Sequence, residues 1–220
     1  MPDHVGTNSG DYNVLCAGMS RSASTWLYNA ARLLVSHSVD TDISYGWIDD
    51  FEHLPTQSNS VIKLHQYEPE LVRNSSHVLY SYRDIRDVLA SMKRIWNKEP
   101  SIETADRLVS LYQQWTSAAD YVVRYEDILT DKSRVIEGMA ETLGIDNPDP
   151  LPIIDEIASL NYFSEGPKTV HNQINLFHKQ HITDGRPNSW HGHVKLELIA
   201  EIEHKHRSWF EERGLPLSGS

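Results

Sequence analysis

Cysteine is almost missing from this chain: of 220 residues only Cys16 carries a thiol. A single thiol closes no internal disulfide, so stability must come from a packed core, which suits a reducing cytoplasm. Cys16 itself sits in the apolar run Asn13–Ala17 and reads as an inert core residue. Long apolar runs are missing too, and Met1–Asp11 is polar and acidic, so neither a signal peptide nor a membrane anchor is expected. Positive charge is scarce: 20 Lys and Arg face 31 Asp and Glu, for a net charge of −11. Such a chain repels nucleic acid, and an anionic substrate must find a local positive site. Two stretches offer one, Arg83, Arg86, Lys93 and Arg94 in the middle and His178–Arg186 near the end. Within the first, Lys93 and Arg94 read as a solvated helix face, and Arg86 and Asp87 as structural residues opening a helix.

Internal repeats, low-complexity tracts and linkers are also absent, so residues 1–220 read as a single domain with 1–11 flexible. Short apolar runs alternate with helical patterns, the signature of an α/β fold with a central parallel sheet between helical layers. Strands are expected at Asn13–Ala17, Val61–Leu64, His77–Tyr82 and Tyr121–Arg124. Helices are expected from Ser24, with Ser22 or Ser24 as N-cap, over 85–96, over 105–119, and at Lys132–Leu143, Ile153–Leu160 and Val194–Glu212. From Ser164 to Gly192 periodicity fades while glycine, proline, four histidines and Trp190 gather, which predicts a lid or binding loop.

Between the first strand and first helix lies Gly18-Met-Ser20-Arg21-Ser22-Ala23-Ser24-Thr25-Trp26. An α/β sheet presents backbone N–H groups and a helix N-terminus to an anion at this point, and small residues let a phosphate approach. Against the ATP-type loop G-x-x-x-x-G-K-[ST], Ala23 and Ser24 replace the glycine and lysine. With no metal-binding carboxylate after a later strand, a kinase or GTPase is disfavoured, and no metal is expected. The loop's cation is Arg21.

Ser20–Trp26 resembles the 5′-phosphosulfate loop of sulfotransferases that use PAPS (3′-phosphoadenosine 5′-phosphosulfate). Arg83-Asp-Ile-Arg-Asp-Val-Leu-Ala-Ser91 is similar to that family's 3′-phosphate motif, and Val61-Ile-Lys63-Leu-His65 to the strand bearing its lysine and catalytic histidine. Val123-Arg124-Tyr125-Glu126-Asp127 resembles its strand-end segment near the adenine. The four segments stand in the family's order and spacing. A fifth, basic residues followed by glycine and tryptophan, is matched loosely by Lys179, His181, Gly185, Arg186 and Trp190, which leaves open which basic residue meets the 3′-phosphate.

The resemblance implies roles. Arg21 and Lys63 would place positive charge on the leaving phosphate and His65 would act as general base. Ser20–Thr25 would cradle the phosphosulfate, while Arg83 and Ser91 would select the 3′-phosphate. Trp26 would stack on adenine or fill the core, and Tyr125 would sit at the adenine edge; Arg124, Glu126 and Asp127 also suit strand-end ion pairs. Asp40, Asp42, Asp49, Asp50 and Glu52 stand in a stretch without lysine or arginine, among Tyr45, Trp47 and Phe51. If that stretch borders the acceptor, its field favours a neutral or cationic small molecule, with an alcohol or amine as nucleophile. The competing readings are a kinase-like nucleotide-dependent transferase and a non-catalytic nucleotide-binding module.

Overall fold

A computed structural model describes residues 12–51, 59–160, 173–177 and 185–219. The segment 1–11, Glu52, Lys179 and His181 lie outside the described residues, as do 164–172 and 178–184 of the expected lid. Five parallel strands form one sheet in the order β2-β3-β1-β4-β5. They are β1 (Asn13–Gly18), β2 (Ser44–Trp47), β3 (Ser60–Leu64), β4 (His77–Tyr82) and β5 (Tyr121–Arg124). Helices α1 (Ser24–Ser36), α6 (Lys132–Leu143) and α7 (Pro150–Ser159) cover one face. Helices α3 (Ile85–Trp96), α4 (Ile102–Thr116), α8 (Leu196–Lys205) and α9 (Arg207–Glu211) cover the other. Short helices α2 (Pro69–Asn74) and α5 (Tyr125–Thr130) and a 3-10 turn at Ile48–Asp50 complete the described elements. The expected α/β architecture is therefore present.

The alternation of strand side chains explains the layering. Val14, Cys16, Val61 and Leu79 join the core under α1, while Leu15, Ala17, Ile62, Leu64 and Tyr80 join the core under α3 and α4. A strand buried on both faces reads as an unbroken apolar run, which is why β1, β3 and β4 are legible. Edge strand β2, Ser-Tyr-Gly-Trp, has one neighbour and no such run, so its pattern fails to announce it. The expected helix 194–212 is instead broken at His206, whose imidazole meets Asp106 on α4 at 2.8 Å and whose backbone leaves helical geometry. Tyr125 opens α5 directly after β5 rather than extending the strand.

The topology positions the site. After β1 the chain builds β2 and β3 on one side, then crosses to β4 on the other. Above the C-terminal end of β1 the connections diverge, and a crevice opens at that switch point. Gly18 ends β1 there because a Cβ would stand 2.5 Å from Ser24 Cβ and 2.6 Å from Ser81 Oγ.

Candidate active site

The turn from β1 into α1 is tight. Arg21 (φ 66°) and Ala23 (φ 62°) both adopt left-handed backbone geometry without glycine. That geometry costs about 1 kcal/mol or more per residue and persists only where neighbours enforce it. Ser22 enforces it: its hydroxyl, fully buried, donates to the Met19 carbonyl at 2.6 Å and also meets Ser81 at the end of β4. Neither Ser22 nor Ser24 caps α1. The N-cap is Ala23 without a side-chain cap bond, because the Ser22 hydroxyl is committed to β4 and Ser24 is already helical. The turn brings the N-terminus of α1 next to the end of β1, and the first amides of a helix are a ready site for an anion. Trp26 is partly buried against the core on the α1 face.

On the β4 side of the crevice the charge is positive. Arg83, buried at the end of β4, lies 4.1 Å over the Tyr125 ring and donates from Nη2 to Asp87 at 3.3 Å and to the Arg186 carbonyl at 2.8 Å. Its Nε is buried with no hydrogen-bond partner among the described residues. Arg21 reaches across from the loop to donate from Nε to Ser91 Oγ at 3.0 Å, with its guanidinium 5.9 Å from the Trp96 ring. Burial, then repulsion from Arg83 and Arg94, lowers the Arg21 pKa, although arginine remains charged. Arg21 and Ser91, read as parts of two phosphate motifs, thus meet in one cluster.

Arg94 corrects its sequence reading as a solvated face. It is half-buried and donates to the carbonyl and hydroxyl of Ser189 at 3.3 and 3.2 Å. A signal for it existed: Asp87, Ser91 and Arg94 recur at helical spacing and form one polar stripe on α3. Lys93, also half-buried, pairs at 3.3 Å with the exposed Glu99 alone among the described residues, as a solvated face does. Asp87 accepts from the amides of Asn188 and Trp190 and the Ser189 hydroxyl. Tyr125 donates to the Gly185 carbonyl at 2.8 Å, so segment 185–190 is clamped against β4 and α3. Gly185 suits this contact, with φ 63° and a Cβ position 3.0 Å from the Tyr125 hydroxyl. Arg186 has an exposed side chain and contributes its carbonyl. Tyr125 touches Arg83 and this loop, a contact that spacing alone does not reveal. Arg86 is structural, bridging Asp84 and Glu203, and Arg124 pairs with Glu126 at 2.7 Å.

On the β3 side stand Lys63 and His65. Lys63 lies between Cys16 and Trp47 in the strand register, and its ammonium sits 5.0 Å from the Trp47 ring. Burial lowers its pKa to about 8. His65 Nδ1 lies 2.6 Å from the Gly18 carbonyl oxygen. A carbonyl only accepts, so Nδ1 carries the proton and Nε2 of the neutral ring keeps its lone pair. Trp115 Nε1 fixes the His65 backbone carbonyl at 3.1 Å. Burial and the Lys63 charge lower the His65 pKa to about 3, so the ring is neutral at physiological pH. Burial likewise raises the Cys16 thiol far above its ordinary value, consistent with an inert core residue.

A cavity of about 990 Å³ adjoins His65, Met19 and Ser20. Trp47, Asp49 and Phe51 line it, while Tyr45, one strand period earlier, faces Arg32 at 5.5 Å and lies outside. Among the described residues no cluster of three His, Cys, Asp or Glu is arranged to hold a metal ion. Nor is any described helix long and apolar enough to cross a membrane.

Solved structures share this arrangement of strands and helices. Mouse sulfotransferase SULT7A1 complexed with PAP aligns at 15% identity and a TM-score of 0.55, over 89% of this chain and 86% of that one. Retinol dehydratase with androsterone and PAP aligns at 15% identity and 0.61, over 97% and 85%. The same enzyme with retinol and PAP gives 15% and 0.58, over 93% and 82%. The chain has the sulfotransferase-type fold. No family model and no curated protein matches the sequence. At this identity the likeness speaks for the fold, and the activity has to be argued from the side chains.

Proposed function

We propose that this chain is a sulfotransferase that moves a sulfuryl group from PAPS to a hydroxyl or amine of a small molecule. The observation that carries the proposal is the gathering of Arg83 and Arg94 around Arg21, itself bonded to Ser91, in a chain of net charge −11. Buried like charges repel, and a buried guanidinium N–H without an acceptor is costly; a bound phosphate answers both. The unpartnered Arg83 Nε supports a fit to a 3′-phosphate. The neighbours' complexes with PAP and with retinol or androsterone support a nucleotide and a small acceptor sharing this crevice.

PAPS, the second substrate, supplies a sulfuryl group already activated by a phosphate leaving group. The chain's part is to hold, polarise and deprotonate. The amides of Ser22–Thr25 and the Ser20 turn cradle the anion. Lys63 places positive charge where the leaving oxygen develops negative charge, a preorganised arrangement that needs no metal. Arg21 adds charge from the loop and ties it to Ser91. Trp26, Tyr125 and Gly185 bound the nucleotide side. His65, held as the Nδ1–H tautomer, accepts the acceptor's proton on Nε2, and negative charge bound nearby raises its basicity from the low value of the free site. The acceptor oxygen or nitrogen bonds to sulfur, and the bond from sulfur to the bridging phosphate oxygen breaks. PAP departs with that electron pair.

Calorimetric titration with PAP, ATP, and ATP with Mg²⁺ tests the reading. Metal-independent PAP binding that exceeds ATP binding is expected. Mg²⁺-dependent preference for ATP would sink it in favour of a kinase-like transferase. His65→Ala should keep PAP affinity while turnover falls by about 10²- to 10⁴-fold; unchanged turnover would remove His65 as the base.

A further inference from the structure

The acceptor cavity has a charge pattern of its own. Its lining includes His65 with Met19 and Ser20 of the phosphate loop, where the chemistry would occur. Much of the wall is apolar, made by Ile48, Phe51, Leu71, Leu108 and Leu111. Three carboxylates, Asp49, Glu68 and Glu70, also line it, against the single cation Arg107 among its described lining residues. Asp49 is held by Trp47 Nε1 at 2.8 Å, and Glu70 stands 3.7 Å from Arg73 with both side chains well exposed. Glu68 forms no ion pair among the described residues.

A second observation points to an occupant. Tyr80, fully buried on β4, lines this same cavity, and its hydroxyl has no hydrogen-bond partner among the described residues. A buried unsatisfied hydroxyl marks a place where a ligand's polar atom completes the bonding. The lining and Tyr80 together describe a molecule that is largely apolar, carries a polar group and bears positive charge for the carboxylates.

Resting on the sulfotransferase reading above, we infer that the acceptor is a cationic amphiphile: an apolar alcohol or phenol bearing a positively charged amine. Its hydroxyl turns to His65 and its ammonium to Asp49, Glu68 and Glu70. An ammonium held by carboxylates stays protonated and has no lone pair, so oxygen rather than nitrogen receives the sulfuryl group. An anionic acceptor meets three like charges and is rejected by repulsion rather than by shape.

The test uses the full chain saturated with PAP and three probes. These are a phenol with a para trimethylammonioethyl arm, its uncharged tert-butyl isostere, and a phenol with a para carboxyethyl arm. Calorimetry should show the cation binding about tenfold more tightly than the isostere, the sum of a few partly screened charge contacts, with the carboxylate weakest. The double variant Asp49→Asn, Glu68→Gln should bring the ratio of cation to isostere close to one. Equal binding of cation and isostere, tighter binding of the carboxylate, or no binding of any probe overturns the inference while leaving the nucleotide reading intact. Failure of PAP itself to bind overturns both.

Discussion

The two sides of the crevice above β1 solve opposite electrostatic problems. On the β4 side, buried Arg83 and half-buried Arg21 and Arg94 crowd together, with Asp87 occupied by Arg83 and by loop 188–190. On the β2–β3 side, exposed carboxylates border an apolar cavity. The first side is the drier one: buried charges are weakly screened and poorly solvated, so an anion bound there would gain much. The second side is an exposed rim, and on the inference above it would select among ligands without holding them tightly. On the proposed reading, a chain acidic overall would take a polyanion because a few of its cations are concentrated in one place.

The largest break in this contrast should come from Arg83→Gln. Losing its charge-assisted bonds should weaken PAP about a hundredfold by calorimetry. A loss below threefold would show that the cluster does not hold the nucleotide. Lys63→Met comes next and should lower turnover about a hundredfold, the scale of removing one preorganised donor.

Lys63 also predicts a pH dependence. Its folded pKa is about 8, below the ordinary 10.5, so between those values the unfolded chain binds the extra proton. Stability should therefore rise with pH across about 8 to 10.5, and Lys63→Met should flatten that slope in urea titrations. PAP should bind with proton uptake near pH 8, seen as a buffer-dependent binding enthalpy. Absence of uptake would place the bound anion away from Lys63.

Arg94→Gln should weaken PAP about tenfold, less than Arg83 because Arg94 is half-buried and shares its charge with Ser189. An unchanged affinity would make Arg94 a loop anchor only. Smallest of all, raising salt from 50 to 500 mM (roughly one Debye length from 14 to 4 Å) should erase the acceptor rim's charge preference while proportionally weakening the buried side less. Equal sensitivity would mean both sides are open to water.

Spacing and composition by themselves determined the parallel α/β class and all four expected strands, while edge strand β2 escaped them and the resemblance named the residues at the crevice. Local periodicity carries that information, because a buried strand is a run of apolar residues and a helix repeats every three to four. Tertiary structure alone decided the direction each charge faces. Arg21 turned to Ser91, 70 positions away, and Ser22 spent its hydroxyl on β4 instead of capping α1. Arg94 folded inward onto Ser189, and Trp47 reached the cavity while Tyr45 on the same strand face did not. These outcomes depend on strand order and on packing between distant segments. A single chain pattern lacks both, since contacts across the sheet are set by which elements become neighbours rather than by the residues beside them in sequence.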